Sequence, residues 1–249
     1  MTYIYAYSNH KYGLSRLRRM AVLYRELQEQ GVEVEMLTND FRAAAVIREY
    51  GVPACTTIET VWDIDFVAQR GDSLIMDTPE DDEGKLAQYV EMFSEVSKVA
   101  NTCDEMSRFG EKILFVDPMV DVYYRQCKEE PKIKRTVFFY GDSDPKKWIK
   151  TQLDRFANSQ MELLLGEYFY LGYEAEIAPS FFAVHESDAY REIIAHSSRI
   201  VTCSAQTAYE ARAAGASVTY LCDTLAPCHR ERMEEWEIKV VDNLLQKIV

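Results

Sequence analysis

No stretch of this sequence approaches the roughly 20 consecutive apolar residues that span a bilayer, and Met1 leads straight into the strand-like TYIYAY without a basic or apolar leader. A cytoplasmic location is the expectation. There is no Cys-x-x-Cys pair either. Cys55, Cys103, Cys127, Cys203, Cys222 and Cys228 lie far apart, a pattern of reduced thiols rather than of a disulfide framework or structural zinc site. Positive charge is scarce: 41 acidic side chains stand against 28 basic ones, for a net charge of −13. That balance opposes attraction to nucleic acid or to an anionic membrane. Short-period repeats and low-complexity tracts are also missing. What is present is a chain of 249 residues, 47% of them hydrophobic, enough for one large or two small globular domains.

The order of apolar runs gives the layout. Tyr3–Tyr7 reads as a strand, Ser8–Gly13 as a turn, and Leu17, Met20, Ala21, Leu23, Tyr24 and Leu27 as the apolar face of a helix that ends at Gly31. A second strand spans Val32–Leu37, and Asn39 or Asp40 caps a helix running to Tyr50. Leu74–Met76 is a short strand ending in Asp77-Thr78-Pro79. A long helical stretch is expected over Gly84–Arg108 and a strand over Lys112–Val116. The polar connection from Asp117 to Lys134, with Pro118 and Pro131, is the place for a domain boundary.

A second series then begins. Strands are expected at Arg135–Tyr140, Met161–Leu165, Phe181–Val184, Ile200–Cys203 and Ser217–Leu221, and helices at Lys146–Ala157, Asp188–Ala195, Arg230–Glu237 and Asp242–Ile248. This predicts an α/β fold of two Rossmann-like domains, residues 1–125 and 126–249, facing across a cleft. Ligands in open parallel sheets bind beyond the C-terminal strand ends. Those ends are Ser8–Gly13, Asp77–Pro79, Gly141–Asp144 and Ser204–Thr207, provided that the sheets are parallel.

The segment RIVTCSAQTAYEARAAGASVTYL (Arg199–Leu221) is the most informative: a buried strand feeds a small hydroxyl-bearing turn that opens directly into a helix, the form of an anion cradle. With SNHKYGLSRLRRMAVLYREL, LIMDTPED and RTVFFYGDSDPKKW, it resembles the two-domain GT-B proteins. It is particularly similar to the hydrolase of pseudaminic acid biosynthesis, which releases UDP from a diacetamido-trideoxy sugar nucleotide, a family related in turn to the N-acetylglucosaminyltransferase of lipid-linked peptidoglycan precursors. The resemblance implies a nucleotide-sugar partner, UDP linkage, and hydrolysis at the sugar–diphosphate bond in surface-glycan or flagellar sugar synthesis. A UDP-sugar glycosyltransferase and a non-catalytic binding or assembly protein are its alternatives.

Departures from that family are specific. Its first turn reads Gly-x-Gly-His-x-x-Arg, and alignment on Gly13 puts Leu14 at the histidine, Lys11 at the first glycine and Leu17 at the arginine. Leucine cannot move a proton. The family's Gly-Gly-Thr-Asp becomes Gly141-Asp142-Ser143-Asp144, which adds negative charge where a diphosphate would approach.

The candidate set follows. His10 and Asp77 are the candidate proton-handling residues. Gly13, Arg16, Gly141, Asp142, Ser143, Ser204, Ala205, Gln206, Thr207 and Glu210 are the candidate substrate-binding residues, the Ser204–Thr207 amides and hydroxyls for phosphate and Glu210 for a ribose or sugar hydroxyl. Ser204 also reads as an ordinary helix cap. No cofactor or metal is expected: Asp142 and Asp144 offer too few oxygens for a hard cation and suit helix capping, and Cys222, Cys228 and His229 match no common zinc spacing. The aromatic group Tyr168, Phe169, Tyr170, Tyr173, Phe181 and Phe182 would stack on a sugar or base, or pack between domains. No feature marks a particular oligomeric state.

Overall fold

Two six-stranded sheets, every strand pair parallel, form the framework of the molecule. The computed structural model describes residues 1–80, 84–114, 118–157, 159–169, 172–222 and 225–242. The acidic run 81–83, the end of the strand expected to reach Val116, Tyr170, and the C-terminal helix expected past Asp242 lie outside them. The chain divides into two compact units. The first holds Met1–Asn9 and Leu14–Met119, the second His10–Gly13 and everything from Val120 onward.

In the first unit the elements run β1 (Thr2–Ala6), α1 (Ser15–Glu29), β2 (Val34–Thr38), α2 (Phe41–Val46), β3 (Cys55–Thr57), α3 (Ile64–Val67), β4 (Ser73–Asp77), α4 (Lys85–Met92), β5 (Glu95–Val99) and β6 (Lys112–Leu114). Asp40, not Asn39, caps α2 through the Arg42 amide. The Asn39 carboxamide instead accepts from the Ser8 amide at 2.8 Å and ties the turn after β2 to the turn after β1.

The long helix expected over Gly84–Arg108 does not form. Helix α4 stops at Met92, and Glu95–Val99 pairs with β4 in the sheet. Val96, Ser97 and Val99 are buried there, and β-branched side chains gain more from a pleated surface than from a helix turn. After β5, Glu105 organises an irregular loop by accepting from Lys98 and from the Asn101 amide, each at 2.6 Å.

The second unit contains α5 (Val122–Gln126), β7 (Ile133–Phe139), α6 (Trp148–Thr151), α7 (Leu153–Phe156), β8 (Glu162–Leu164), α8 (Glu174–Ile177), β9 (Ala183–His185), α9 (Tyr190–His196), β10 (Ser197–Thr202), α10 (Ala205–Ala213), β11 (Ser217–Cys222), α11 (Pro227–Glu235) and β12 (Lys239–Asp242). The connection read as loose contains helix α5, capped by Asp121, whose Tyr124 is fully buried in the second unit's core. The single helix expected over Lys146–Ala157 is two short ones broken at Gln152, where the Thr151 hydroxyl turns back to the Trp148 carbonyl at 2.7 Å.

Alternation along β7 explains why this sheet needs a core on both faces. Val137 and Phe139 join Ile200, Val218 and Tyr220 on one side, and Phe138 joins Leu163, Val201 and Leu221 on the other. Each such side chain contributes about 1.5–3 kcal/mol by burial. Phe169, Tyr173 and Phe181 are buried in the second unit's core and Tyr168 is buried too, whereas Phe182 is exposed.

Candidate functional site

Both sheets have the same connectivity. The orders β3-β2-β1-β4-β5-β6 and β12-β11-β10-β7-β8-β9 each place the unit's first strand beside its fourth. The connections diverge there and open a crevice at the C-terminal strand ends. The turns following β1 and β4 are Ser8–Gly13 and Asp77–Pro79, and those following β7 and β10 are Gly141–Asp144 and Ser204–Thr207. The condition that the sheets be parallel is met, and all four expected turns fall at the two switch points.

At the first switch point the chemistry is charged and closed on itself. Asp77, the last residue of β4, is fully buried. Arg19 donates to both of its oxygens from Nε and Nη2, at 2.5 and 2.6 Å, and the Arg16 Nε lies 3.3 Å from Oδ1. Burial works against the charge on Arg19, and the Asp77 carboxylate outweighs it, holding the guanidinium above its ordinary value. Arg16 also donates to the Asn101 carboxamide at 3.4 Å, and Asn101 donates to the Thr78 carbonyl at 3.1 Å. The expected proton carrier Asp77 and the expected diphosphate ligand Arg16 are thus brought together, but as partners of each other. Both oxygens of this carboxylate are committed to guanidinium groups. Next to it, Glu80 accepts from the Tyr5 hydroxyl at 2.6 Å, and burial together with that carboxylate pushes the phenol well above its ordinary range.

At the second switch point hydroxyls and amides meet three buried carboxylates, Asp142, Asp144 and Glu210. Ser204 caps α10: its hydroxyl accepts from the Thr207 amide at 3.3 Å and lies 2.9 Å from the Thr207 hydroxyl. The Thr207 hydroxyl also meets Tyr190 Oη at 2.8 Å, and Tyr190 donates to Glu210 at 2.7 Å. Gln206 donates to the other oxygen of Glu210 at 3.0 Å. Thr207 and Glu210 are buried and Ala205 is exposed. The hydroxyls expected to meet phosphate therefore satisfy one another, and Glu210 faces the interior. Of the first turn only Ala205 is exposed, and the amides of a first turn have no carbonyl partner within their helix.

The neighbouring turn is set by close approach of backbone. A Cβ on Gly166 would lie 2.2 Å from the Asp142 Cα, so only glycine fits beneath that turn, and the Asp142 carbonyl accepts from the Tyr168 amide at 2.8 Å. Gly141 has a φ of 152°, accessible to glycine and rarely to other residues. Asp144 caps α6, accepting from the Trp148 and Ile149 amides at 2.7 and 2.8 Å and from the Tyr173 hydroxyl at 2.8 Å. The His10–Gly13 turn belongs with this group: the Ser143 hydroxyl donates to the His10 carbonyl, and a Cβ on Gly13 would strike the Asp142 side chain at 2.6 Å. His10 is exposed, while Leu14 is buried.

Two residues outside the candidate set matter here. Arg19 stands three positions after Arg16 on the same face of α1, so its share in Asp77 was detectable from spacing. Tyr190 opens a helix well upstream of Thr207, and nothing local signals that partnership.

No family model matches the sequence, and a search of curated proteins finds no relative. Solved structures do resemble the fold. A Listeria monocytogenes protein assigned as a UDP-N-acetylglucosamine 2-epimerase superposes with a TM-score of 0.59 at 11% identity, covering 97% of this chain and 83% of that one. A UDP-GlcNAc 2-epimerase from Neisseria meningitidis, solved bound to UDP-GlcNAc, gives 0.54 at 13%, covering 97% and 87%. The glycosyltransferase SnogD from Streptomyces nogalater gives 0.53 at 11%, covering 97% and 86%. The fold is the GT-B fold of two Rossmann-like units, as the sequence reading expected. Among the described residues, no helix is long and apolar enough to cross a membrane.

Proposed function

We propose that this chain binds a nucleotide-sugar, UDP-linked, at the switch point of its second unit, and transfers the sugar to an acceptor hydroxyl. The observation that carries the reading is the start of α10: an exposed Ala205 at the first helical position, directly after a central parallel strand and beside the Gly141 turn. There the amides around Ala205 and the helix dipole favour a diphosphate and stabilise charge building on it as the sugar C–O bond breaks. Glu210 acts from behind, positioning the turn through Gln206 and Tyr190. His10 is the candidate base that takes the acceptor's proton, since Asp77 is held by arginines. Transfer is preferred to the hydrolysis implied by the sequence resemblance because proteins of this fold include a glycosyltransferase and an epimerase carrying UDP-GlcNAc.

A second reading has its own observation. Leu14 is buried hydrocarbon where the related hydrolases carry a histidine, which favours a protein that binds without turnover. The test is a panel of UDP- and CMP-sugars, following binding and nucleotide release with and without acceptors. Release that requires an acceptor supports transfer, and release in water alone restores hydrolysis. Binding without release favours the second reading, and no binding removes every nucleotide reading.

A further inference from the structure

A second cluster of chemistry lies at the opposite edge of the second unit's sheet and takes no part in the nucleotide reading. Cys127 follows α5, Glu130 stands three residues on, and His196 ends α9. The Cys127 Sγ, a Glu130 carboxylate oxygen and a His196 ring nitrogen all lie within 4.8 Å of one another. We propose that these three side chains form a binding site for a zinc-type divalent transition metal, with the remaining coordination position open to water.

The donor set suits such an ion. Thiolate, imidazole and carboxylate are its usual ligands, and one thiolate with one carboxylate neutralises a +2 charge in a half-buried place. The histidine is oriented for the task. Its Nδ1 lies 3.0 Å from the Glu192 backbone carbonyl, which can only accept, so Nδ1 carries the proton. The lone pair of the neutral ring is then on Nε2, 2.9 Å from the Glu130 carboxylate. A ligating imidazole held by a carbonyl on its other nitrogen is the usual outer arrangement of metal sites. Without a metal the same geometry serves as a plain imidazolium–carboxylate pair, and that is the competing reading.

The ligands are held on fixed segments. Lys132 donates to the carbonyls of Cys127 and Ala195, at 2.5 and 2.9 Å, and so staples the two ligand-bearing segments together. The Tyr123 hydroxyl donates to Glu192 at 2.6 Å behind the ring. Cys127 is buried, but Glu130 is exposed and gives an ion a way in. Binding releases the thiol proton to solvent. Burial, chiefly, raises that thiol above its ordinary value, and a bound cation reverses the effect.

The position argues for a structural or regulatory ion. Cys127 and His196 precede β7 and β10, so they sit at the N-terminal ends of the two strands whose C-terminal ends carry the proposed nucleotide site. Six residues of β10 separate the edges, about 20 Å at strand rise.

The experiment is a Co²⁺ titration of the chelator-stripped full chain, followed by Zn²⁺ competition. One cobalt per chain with a thiolate-to-cobalt charge-transfer band, displaced by zinc, is the expected result. Cys127→Ser and His196→Ala should abolish the band, and Cys55→Ser should keep it. Glu130→Gln, at an exposed position that cannot unsettle folding, should weaken binding about tenfold or more. The proposal is overturned if no band appears, if the band survives Cys127→Ser, or if Glu130→Gln binds as tightly as the parent, which marks an adventitious ion.

Discussion

The two switch points share a topology and differ in chemistry. In the first unit the crevice-forming turns end in a buried carboxylate shared by Arg16 and Arg19, a charged knot whose groups are committed to one another. In the second, hydroxyls and a buried carboxylate are satisfied against one another at the start of α10, and Ala205 is the exposed residue there. A shared strand order therefore fixes where a crevice forms, and the residues beside it decide how its polar groups are paired.

The largest expected effect tests the first half of that contrast. Asp77→Ala leaves two mostly buried guanidinium groups without a counter-charge and should cost about 3 kcal/mol in urea unfolding. A companion change, Arg19→Met, should recover part of the loss. Unchanged stability in the single variant would mean that the knot is ornamental. Next, Gly166→Ala should cost about 2 kcal/mol by forcing the Asp142 turn off its seat. If the loss were small, the turn would be soft and its close approach incidental.

A third change separates binding from stability. Ser204→Ala with Thr207→Ala, the pair that sequence alone suggests, also removes hydroxyls from a buried network with Tyr190, so a stability loss would be confounded with a binding loss. Ala205→Pro is cleaner. Ala205 is the first helical residue, Ser204 before it is extended, and proline is tolerated there, so the change deletes one outward amide. UDP affinity should fall about tenfold, roughly the value of one charge-assisted hydrogen bond, with the melting temperature unmoved. Equal affinity would show that the helix start does not hold the phosphate.

The smallest effect lies outside both crevices and calibrates the rest. Glu111 is buried, which alone would raise its pKa, but the amides of Arg108 and Phe109 and the Ser107 hydroxyl outweigh burial and lower it. A depressed folded value gives stability that is complete above the unfolded value of about 4.3 and is lost as pH falls through the folded value below it. Glu111→Gln should cost about 1 kcal/mol near neutrality, and the gap from the parent should close in acid. A gap that widened in acid would reverse the assigned shift.

Local signals carried most of the layout. The apolar runs that became β1, β2, β7, β10 and β11, and the Ser204 cap, are visible because each is decided within a few residues. The Gly84–Arg108 stretch misled because β5 is a strand only through its pairing with β4, a partner some twenty residues away in sequence. The same holds at the site: the four turns were legible from strand ends, whereas the Arg19–Asp77 clasp and the Tyr190–Thr207–Glu210 relay depend on packing across helices. Asp142 and Ser143 likewise looked like ligand groups in sequence and serve, through Gly13 and His10, to seat a turn.

The central pairing of the second sheet joins Thr136 on β7 to Arg199 on β10. During synthesis at about 5–20 residues per second, the 62 intervening residues take roughly 3–12 s to emerge. For that interval the apolar Val137–Phe139 run waits beside the ribosome without the neighbour that will flank it on one side. A nascent chain of this design has a timed vulnerability, and its yield in a cell should depend on holdase chaperones more than its finished stability would suggest.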